Sequence, residues 1–329
     1  MENGQNRVIV GIDGGGTHTR VMIADLEGNI LSYVERGASS LHKDLNAKEN
    51  VRQAIEQALH ASEKEATDVA ALAAGIAGFD SEADLHWVEA LTDLPGLHCP
   101  RLHVNDAVVA HSGALLSEPG IIVISGTGSI IFAITEDGKQ IRNYDFHHYA
   151  ASAARFLAYD ATYELLAGNI RENDRQLVQS MLRFWGVPSV EQLSLLALEG
   201  FVSDERERNR KFAELAPTIT EFALQRSSLA QTVCDRAVTQ IMVGVEILAS
   251  YFAQPEVRVS LIGSVVNSEY FQRQLASRMK AGNNKRYRIV HPAFSPTTGA
   301  LILALRQLGI NITPQILGNL AKHPQSHYR

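Results

Sequence analysis

A short, polar, glycine-rich turn between two apolar segments occurs twice in this chain, 110 residues apart. The match covers a whole strand, turn, strand and hairpin rather than two isolated glycines, so the sequence predicts an internal duplication. Two similar lobes, each with its own core, are therefore expected from the 329 residues. The coinciding positions are Gly16 with Gly126, Thr17 with Thr127, Thr19 with Ser129 and Gly28 with Gly138.

The first part of the chain predicts an antiparallel meander followed by alternating helices and strands. Residues 8–12, 20–25 and 30–34 are short apolar segments, and residues 46–66 carry apolar side chains at helical spacing. The alternation continues to residue 116 and is typical of parallel strands joined by crossover helices. We therefore expect an N-terminal α/β lobe over residues 1–118.

The second part repeats this order around a long helical insertion. Apolar residues recur at three- and four-residue spacing through about 150–252, and strand-helix alternation resumes over 257–308. We expect a C-terminal lobe over residues 119–329, joined to the first by a short hinge near residues 118–120. Each lobe should hold one mixed sheet with helices, with a cleft between the lobes.

Composition excludes several classes of function. Hydrophobic residues make up 45% and charged residues 20%, as in ordinary globular proteins. The net charge of −6, with no basic stripe, argues against a nucleic-acid partner. The polar start and the absence of a long apolar run argue against both secretion and membrane insertion. Cys99 and Cys234 fit neither a disulfide framework nor a zinc cluster, so we expect a cytoplasmic protein.

The first turn reads Asp13-Gly14-Gly15-Gly16-Thr17-His18-Thr19 and follows an apolar strand. Consecutive glycines let backbone N–H groups approach an anion closely, and Thr17 and Thr19 add hydroxyl donors. Asp13 is placed to bind hydrated magnesium, which prefers oxygen ligands. A plain hairpin turn with a capping Asp would need only one or two such residues. The turn therefore predicts a phosphate-binding loop.

The second turn, Ser125-Gly126-Thr127-Gly128-Ser129, is by itself equally compatible with an ordinary turn. Its repeat relationship to the first turn favours a second phosphate loop. Two such loops suit phosphoryl transfer, in which catalysis is mostly positioning and charge stabilisation. Neither turn matches GxxxxGK[ST] or GxGxxG, so P-loop and Rossmann binding are excluded.

Asp106 directly follows a predicted strand and precedes a helix, which places its carboxylate at the carboxyl edge of a sheet. There it could accept a proton from an attacking hydroxyl. Taken alone, Asp106 is also explained as the N-cap of the helix that begins at Ala107. Its position in the chain between the two loops favours the role of catalytic base.

These motifs resemble the BadF/BadG/BcrA/BcrD ATPase family, which includes N-acetylglucosamine kinases and belongs to the actin/hexokinase/heat-shock ATPase superfamily. The resemblance runs nearly end to end. It is carried by GIDGGGTHTR at 11–20, GIAGFD at 75–80, NDA at 105–107, GTGS at 126–129 and SLIGSVVNS at 260–268.

The resemblance implies two ribonuclease H-like lobes, duplicated mixed five-stranded sheets with helices, around an ATP cleft. It implies ATP and Mg2+ as cofactors, Asp13 as the magnesium residue and Asp106 as the base that activates the acceptor. Homodimers are common in the family, so a homodimer is also among the expectations. The residues that it assigns to ATP are Gly14, Gly15, Gly16, Thr17, Thr19, Gly126, Thr127, Gly128, Ser129, Gly263 and Ser264.

The chain departs from the family's sugar kinases in the segment that follows the second repeat. Those kinases usually carry a segment similar to GGWGHLLGDEGS there. Residues 144–153 of this chain read YDFHHYAASA, with Ala151 and Ser152 in place of the acidic Asp-Glu pair. Ser40 also stands where the sugar kinases often have asparagine. The expected substrate-binding residues are Ser40, Gly78, Asn105, Asp106 and His147.

The leading hypothesis is an ATP-dependent phosphotransferase acting on a hydroxyl of an amino sugar or related carbohydrate, similar to an N-acetylglucosamine kinase. One alternative is an ATPase that couples hydrolysis to a partner protein, although the two cysteines lack the spacing of an iron–sulfur version. Another is a catalytically silent sugar- or nucleotide-binding regulator, since the acidic pair is missing. Sequence does not identify the acceptor or the phosphorylated position.

Overall fold

The computed structural model describes residues 6–41, 44–282 and 284–328. The strands lie within two residues of the segments expected from sequence. They are β1 (Val8–Gly14), β2 (Thr19–Asp25), β3 (Ile30–Arg36), β4 (Val69–Ile76), β5 (Arg101–Asn105), β6 (Gly120–Ser125), β7 (Ser129–Ile134), β8 (Gln140–Arg142), β9 (Glu256–Ile262) and β10 (Arg286–Val290).

The helices connect these strands and fill the predicted insertion. They are α1 (Ala47–Ala61), α2 (Leu85–Leu91), α3 (Asp106–Leu115), α4 (Ala154–Leu166), α5 (Arg175–Trp185), α6 (Val190–Leu198), α7 (Glu205–Ala213), α8 (Ala216–Leu224), α9 (Ser228–Ala249), α10 (Glu269–Lys280), α11 (Pro296–Gln307) and α12 (Pro314–Leu320). Helices α4 to α9 form the insertion. None of the helices in the described residues combines the length and hydropathy needed to cross a lipid bilayer.

The two sheets have the same topology, as the duplication predicts. The first has the strand order β3-β2-β1-β4-β5, and the second has β8-β7-β6-β9-β10. In each sheet the first three strands in chain order are antiparallel neighbours and the last two are added in parallel. Strands β2 and β7 begin 110 residues apart, as do β3 and β8. The predicted α/β fold class of duplicated mixed five-stranded sheets is confirmed.

The chain divides into two compact units, and their composition corrects one expectation. The second unit runs from Pro119 to Val290, whereas the first contains the residues up to Glu118 together with those from His291 onward. The C-terminal lobe was expected to extend over 119–329. The terminal segment instead packs in the first unit because α11 lies against β1 and α3.

The centre of the first sheet is buried on both faces, since every residue of β1 is buried. Val8, Val10 and Ile12 pack in a core with α1 side chains, whereas Ile9 packs in a second core that includes α11 residues. Alternate residues of a strand point to opposite faces, so each face of β1 supplies one core. The second unit has its own core between its sheet and the inserted helices.

We predict that adding one methyl group at Gly299 of α11 will destabilise the first unit. A Cβ there would lie 2.1 Å from the carbonyl oxygen of Val109 and 2.4 Å from the backbone nitrogen of Gly113, neither of which can move freely. Gly299→Ala should lower the free energy of unfolding by about 1–3 kcal/mol, measured by denaturant titration.

Gly318 in α12 is the matched control, because a Cβ there meets nothing within 4 Å. Gly318→Ala should leave stability unchanged or raise it by up to about 1 kcal/mol, as alanine favours helices. Equal stability of the two variants would contradict the close packing of α11 against α3.

Candidate functional site

The first glycine-rich turn joins β1 to β2 and exposes its tip. The backbone N–H of Gly15 donates to the carbonyl of His18 over 2.8 Å, which closes the turn. Gly16 and Thr17 are exposed at the tip, while Gly14 is buried below. A Cβ at Gly14 would lie 2.5 Å from the hydroxyl of Ser39 and 2.7 Å from Cδ1 of Ile76, so a larger residue would have to displace these side chains. Backbone N–H groups and the Thr17 side chain are therefore accessible to a bound anion.

Asp13 belongs to a row of charged side chains across β1, β2 and β3. It is paired in register with Arg20, and Arg20 with Glu35. Nη1 of Arg20 lies 3.3 Å from Oδ2 of Asp13, and its Nε lies 3.2 Å from Oε2 of Glu35. Burial raises the pKa of the Asp13 carboxyl, and the Arg20 guanidinium partly offsets that rise. Nδ1 of His18 also lies 3.0 Å from Oε1 of Glu35.

The structure gives Thr19 and Ser129 a different role from the one expected. Thr19 is fully buried and its hydroxyl donates to the carbonyl of Gly37 over 2.7 Å. The equivalent hydroxyl of Ser129 donates to the carbonyl of Ala150 over 3.0 Å. Both hydroxyls fix the segment after the hairpin to the base of the turn, so they are not donors to a phosphate. Their side chains are therefore not expected to contact a phosphate.

Asp106 begins α3 directly after β5, and the helix cap is Asn105 instead. The side chain of Asn105 accepts from the backbone N–H of Ala107 over 2.9 Å. Burial, followed by the negative charges of Asp13 and Asp80, raises the pKa of the Asp106 carboxyl to about 7. The N-cap interpretation of Asp106 is thus wrong, because Asn105 is the cap residue; the backbone N–H groups of Ala107 and Asp106 offset part of the rise in the pKa of Asp106.

Register explains why Asp13 influences Asp106. Asp13 is paired with Gly75 of β4, and Gly75 with Val104 of β5, so Asp13 near the end of β1 and Asp106 just after β5 are separated only by β4. Because the three strands are parallel, their carboxyl ends lie at the same edge of the sheet, with β1 and β5 two strand spacings of about 4.8 Å apart. The sequence placed both residues at strand ends, and the topology brings them together.

Gly78, Ser40 and Asn105, three of the expected substrate-binding residues, lie in the first unit near this edge. Gly78 has a φ of +86° in the turn after β4, where the N–H of Phe79 donates to Ile76. The amide of Asn105 donates to the carbonyl of Phe79 over 3.0 Å and ties that turn to α3. Ser40 is 4% exposed, so only a small part of it is open to a ligand.

The second glycine-rich turn joins β6 to β7 in the other unit. Gly126 donates from its N–H to the carbonyl of Gly128 over 2.9 Å, which mirrors the closure of the first turn. Thr127 and Gly128 are exposed, and a Cβ at Gly128 would meet nothing within 4 Å. The tip of this turn is therefore open.

Gly263 and Ser264 follow β9 beside the second turn. Gly263 has a φ of +109°, and a Cβ there would lie 2.4 Å from the carbonyl oxygen of Ser125. Glycine is therefore required both by backbone conformation and by close approach. Ser264 is exposed next to it, so the two residues form an accessible surface beside the second turn.

Arg155, which the sequence analysis did not single out, lies against the second turn. Its Nη1 donates to the carbonyl of Thr127 over 3.2 Å, and its guanidinium lies 4.3 Å from the ring centroid of Phe156. Sequence reasoning missed it because Arg155 is 28 residues beyond Thr127 and belongs to no motif. Its position in the first turn of a helix was the available signal, since cations are disfavoured there.

The expected substrate residue His147 is exposed at the end of a short 3-10 helix, with a φ of +54°. Its neighbour His148 packs against Gly244 of α9 instead. Ala151 is exposed and Ser152 is buried, so no carboxylate stands at these two positions. A histidine that a ligand can reach is therefore present, but the acidic pair of the sugar kinases has no replacement at these positions.

The residues present fit a magnesium ion of the kind that accompanies a nucleotide. Magnesium keeps most of its waters and needs only one or two protein carboxylates, and Asp13 supplies a carboxylate at the edge of the sheet. Across residues 6–41, 44–282 and 284–328, no group of three or more His, Cys, Asp or Glu side chains forms a cage for a metal. A hydrated ion held beside Asp13 is consistent with both findings.

Comparison with known proteins agrees with this geometry. The model of the BadF/BadG/BcrA/BcrD ATPase family matches residues 10–304. N-acetylmuramic acid/N-acetylglucosamine kinase of Clostridium acetobutylicum is 22% identical over 304 residues, which are 91% of this chain and 98% of the relative. N-acetyl-D-glucosamine kinase of Dictyostelium discoideum is 24% identical over 322 residues, again 91% of this chain and 98% of the relative.

The fold is also similar to that of a solved structure. A candidate N-acetylglucosamine kinase from Chromobacterium violaceum superposes with a TM-score of 0.71 at 25% identity, covering 91% of this chain and 99% of that chain. The similarity thus extends over both units rather than over a single motif.

Proposed function

Since the chain belongs to the BadF/BadG/BcrA/BcrD ATPase family, we propose that it transfers the terminal phosphate of ATP to a hydroxyl group of an amino sugar. The names of its two curated relatives support this acceptor class, because both are kinases of N-acetylated amino sugars. ATP is the phosphate donor, and magnesium supplies charge neutralisation on its phosphates when bound.

The observation that carries the proposal is Asp106. Asp106 directly follows β5 in the same unit as the Asp13 loop, and the pKa of its carboxyl group is raised to about 7 by burial and by two neighbouring aspartates. A general base works best when its pKa lies near the operating pH. Asp106 is therefore suited to accept the proton of a sugar hydroxyl as that oxygen attacks phosphorus.

The remaining residues bind and orient the substrates. We propose that the tip of the first loop, at Thr17, contacts phosphates of ATP, with Asp13 beside the magnesium ion. The tip of the second loop, at Thr127, is a second proposed phosphate contact. Gly263 and Ser264 are proposed to contact adenosine, since the glycine permits close approach. In the reaction the bond between the terminal phosphorus and its bridging oxygen breaks, ADP leaves, and Asp106 holds the proton of the acceptor.

The acceptor contacts are proposed to come from the first unit and from His147. Asn105 donates to the carbonyl of Phe79 and so fixes the turn after β4, which contains Gly78. Ser40 is close to the first loop because the N–H of its neighbour Ser39 donates to the carbonyl of Gly15. With Ala151 and Ser152 in place of acidic residues, we expect this chain to bind N-acetylated hexosamines more weakly than relatives that keep the acidic pair.

Incubation with magnesium-ATP and a panel of N-acetylglucosamine, N-acetylmuramic acid, N-acetylmannosamine and glucose tests the proposal. We expect one ADP to be released for each sugar phosphate formed, with both products measured by mass spectrometry. At least one N-acetylated amino sugar should be phosphorylated faster than glucose. ADP release without any sugar phosphate would favour the ATPase alternative. Binding without turnover would favour the silent regulator, and either result would contradict the proposal.

A further inference from the structure

We infer that Arg155 binds the phosphate chain of the nucleotide at the second loop. This rests on the proposed function, because it assigns a new residue to the nucleotide site proposed there. The starting observation is the hydrogen bond from Nη1 of Arg155 to the carbonyl of Thr127, which directs the guanidinium to the exposed turn.

Local structure at Arg155 conflicts with its residue type. It is the second residue of α4, whose N-cap is Ala153 and makes no side-chain cap. A cation in the first turn opposes the helix dipole and costs about 0.3–1 kcal/mol. The charge of Arg155 is therefore unfavourable for the helix, and conflicts of this kind concentrate at functional sites.

The guanidinium keeps donors for a ligand after its contact with the loop. Arginine has five N–H donors in a planar fork, which suits phosphate oxygens. The ring of Phe156, 4.3 Å from the guanidinium carbon, holds one face of the fork in place. Arg155 is partly exposed, so its free N–H groups are accessible to an anion bound at the loop.

The positive charge of Arg155 favours contact with a phosphate at the second turn. The first loop carries Asp13, and its neighbouring Arg20 is already paired with both Asp13 and Glu35. Neither glycine-rich turn contains a lysine of the P-loop kind. Arg155 supplies a positive charge at the second turn, where Thr127 and Gly128 are open.

Calorimetric binding of ADP to Arg155→Ala and Arg155→Lys tests this inference. Charge-assisted hydrogen bonds to phosphate are strong, so Arg155→Ala should weaken ADP binding by about 10- to 100-fold. Arg155→Lys keeps the charge but not the fork and should bind ADP more tightly than Arg155→Ala. The KM for the sugar should change less than twofold in both variants. Thermal unfolding should be unchanged or slightly raised in Arg155→Ala, because the unfavourable dipole interaction is removed.

Arg210→Ala is the matched control, since Arg210 of α7 is a 70% exposed arginine of the same unit and is paired with Glu214 just after the helix. It should bind ADP as the wild type does. ADP affinity within twofold of wild type in folded Arg155→Ala would overturn the inference, as would a defect found only in sugar binding. Wild-type protein that binds ADP through Arg155 but phosphorylates no sugar would overturn the proposed function and leave this inference standing. If the wild type binds no ADP, both are overturned.

Discussion

Replacing Asp106 with asparagine should lower kcat by about 10^2- to 10^4-fold while the KM for ATP changes little. Asparagine keeps the size and polarity of the side chain but cannot accept the proton of the acceptor hydroxyl. The helix cap should survive, because Asn105 rather than Asp106 accepts from the N–H of Ala107. Steady-state kinetics with magnesium-ATP and the preferred sugar measure the effect.

The same pKa predicts how activity and stability depend on pH. Activity that requires ionised Asp106 should rise with pH through a midpoint near 7, the pKa to which burial and the charges of Asp13 and Asp80 raise this group. Between pH 4 and 7 the folded state holds a proton that the unfolded state releases, so this group makes stability fall as pH rises. Asp106→Asn removes that cost and should raise the Tm at pH 8 relative to wild type.

Asp93→Asn is the control for Asp106→Asn. Asp93 is 77% exposed in the same unit and lies 3.9 Å from Arg101. Its replacement should leave kcat and its pH profile unchanged. A fall in kcat of less than tenfold in Asp106→Asn, with an unchanged pH profile, would show that another group accepts the proton.

Replacing Asp13 with asparagine should lower kcat/KM for ATP by about 10^2- to 10^3-fold, the size expected for loss of one preorganised charge contact. The physical reason is that a neutral amide is a poor ligand for a hard cation. Arg20 would keep its contact with Glu35, so the row of side chains across the strands should remain folded.

Magnesium dependence separates this effect from damage to the loop. The concentration of Mg2+ that gives half-maximal thermal stabilisation in the presence of ADP should rise in Asp13→Asn, and removal of the metal with EDTA should make the variant and wild type alike. Asp93→Asn should show the wild-type response. An unchanged magnesium requirement in Asp13→Asn would contradict the role given to Asp13.

Local sequence predicted the parts of the site that depend on backbone and position along a strand. The sequence placed the Asp13–Thr19 turn, the second turn and Asp106 at the ends of strands because glycine and carboxylate residues follow apolar segments, and their functional roles stay predictions. The duplication and the fold class came from the same patterns. Cytoplasmic location and a homodimer stay predictions.

Other parts depend on contacts between distant residues and were not visible in the sequence. Thr19 resembles a phosphate ligand in sequence, yet its hydroxyl bonds to Gly37, which only the hairpin brings near. The packing of Gly299 on Val109 moves the last helices to the first unit. Arg155 reaches Thr127 across 28 residues. In each case tertiary packing, not local preference, decides the role.

A structure of the protein with a non-hydrolysable ATP analogue, magnesium and N-acetylglucosamine tests the central claim most directly. We expect a nucleotide phosphate at Thr17, magnesium beside Asp13 and a carboxylate oxygen of Asp106 within about 3 Å of a sugar hydroxyl. A nucleotide bound without contact to the first loop, or an Asp106 side chain without a sugar hydroxyl beside it, would contradict this mechanism.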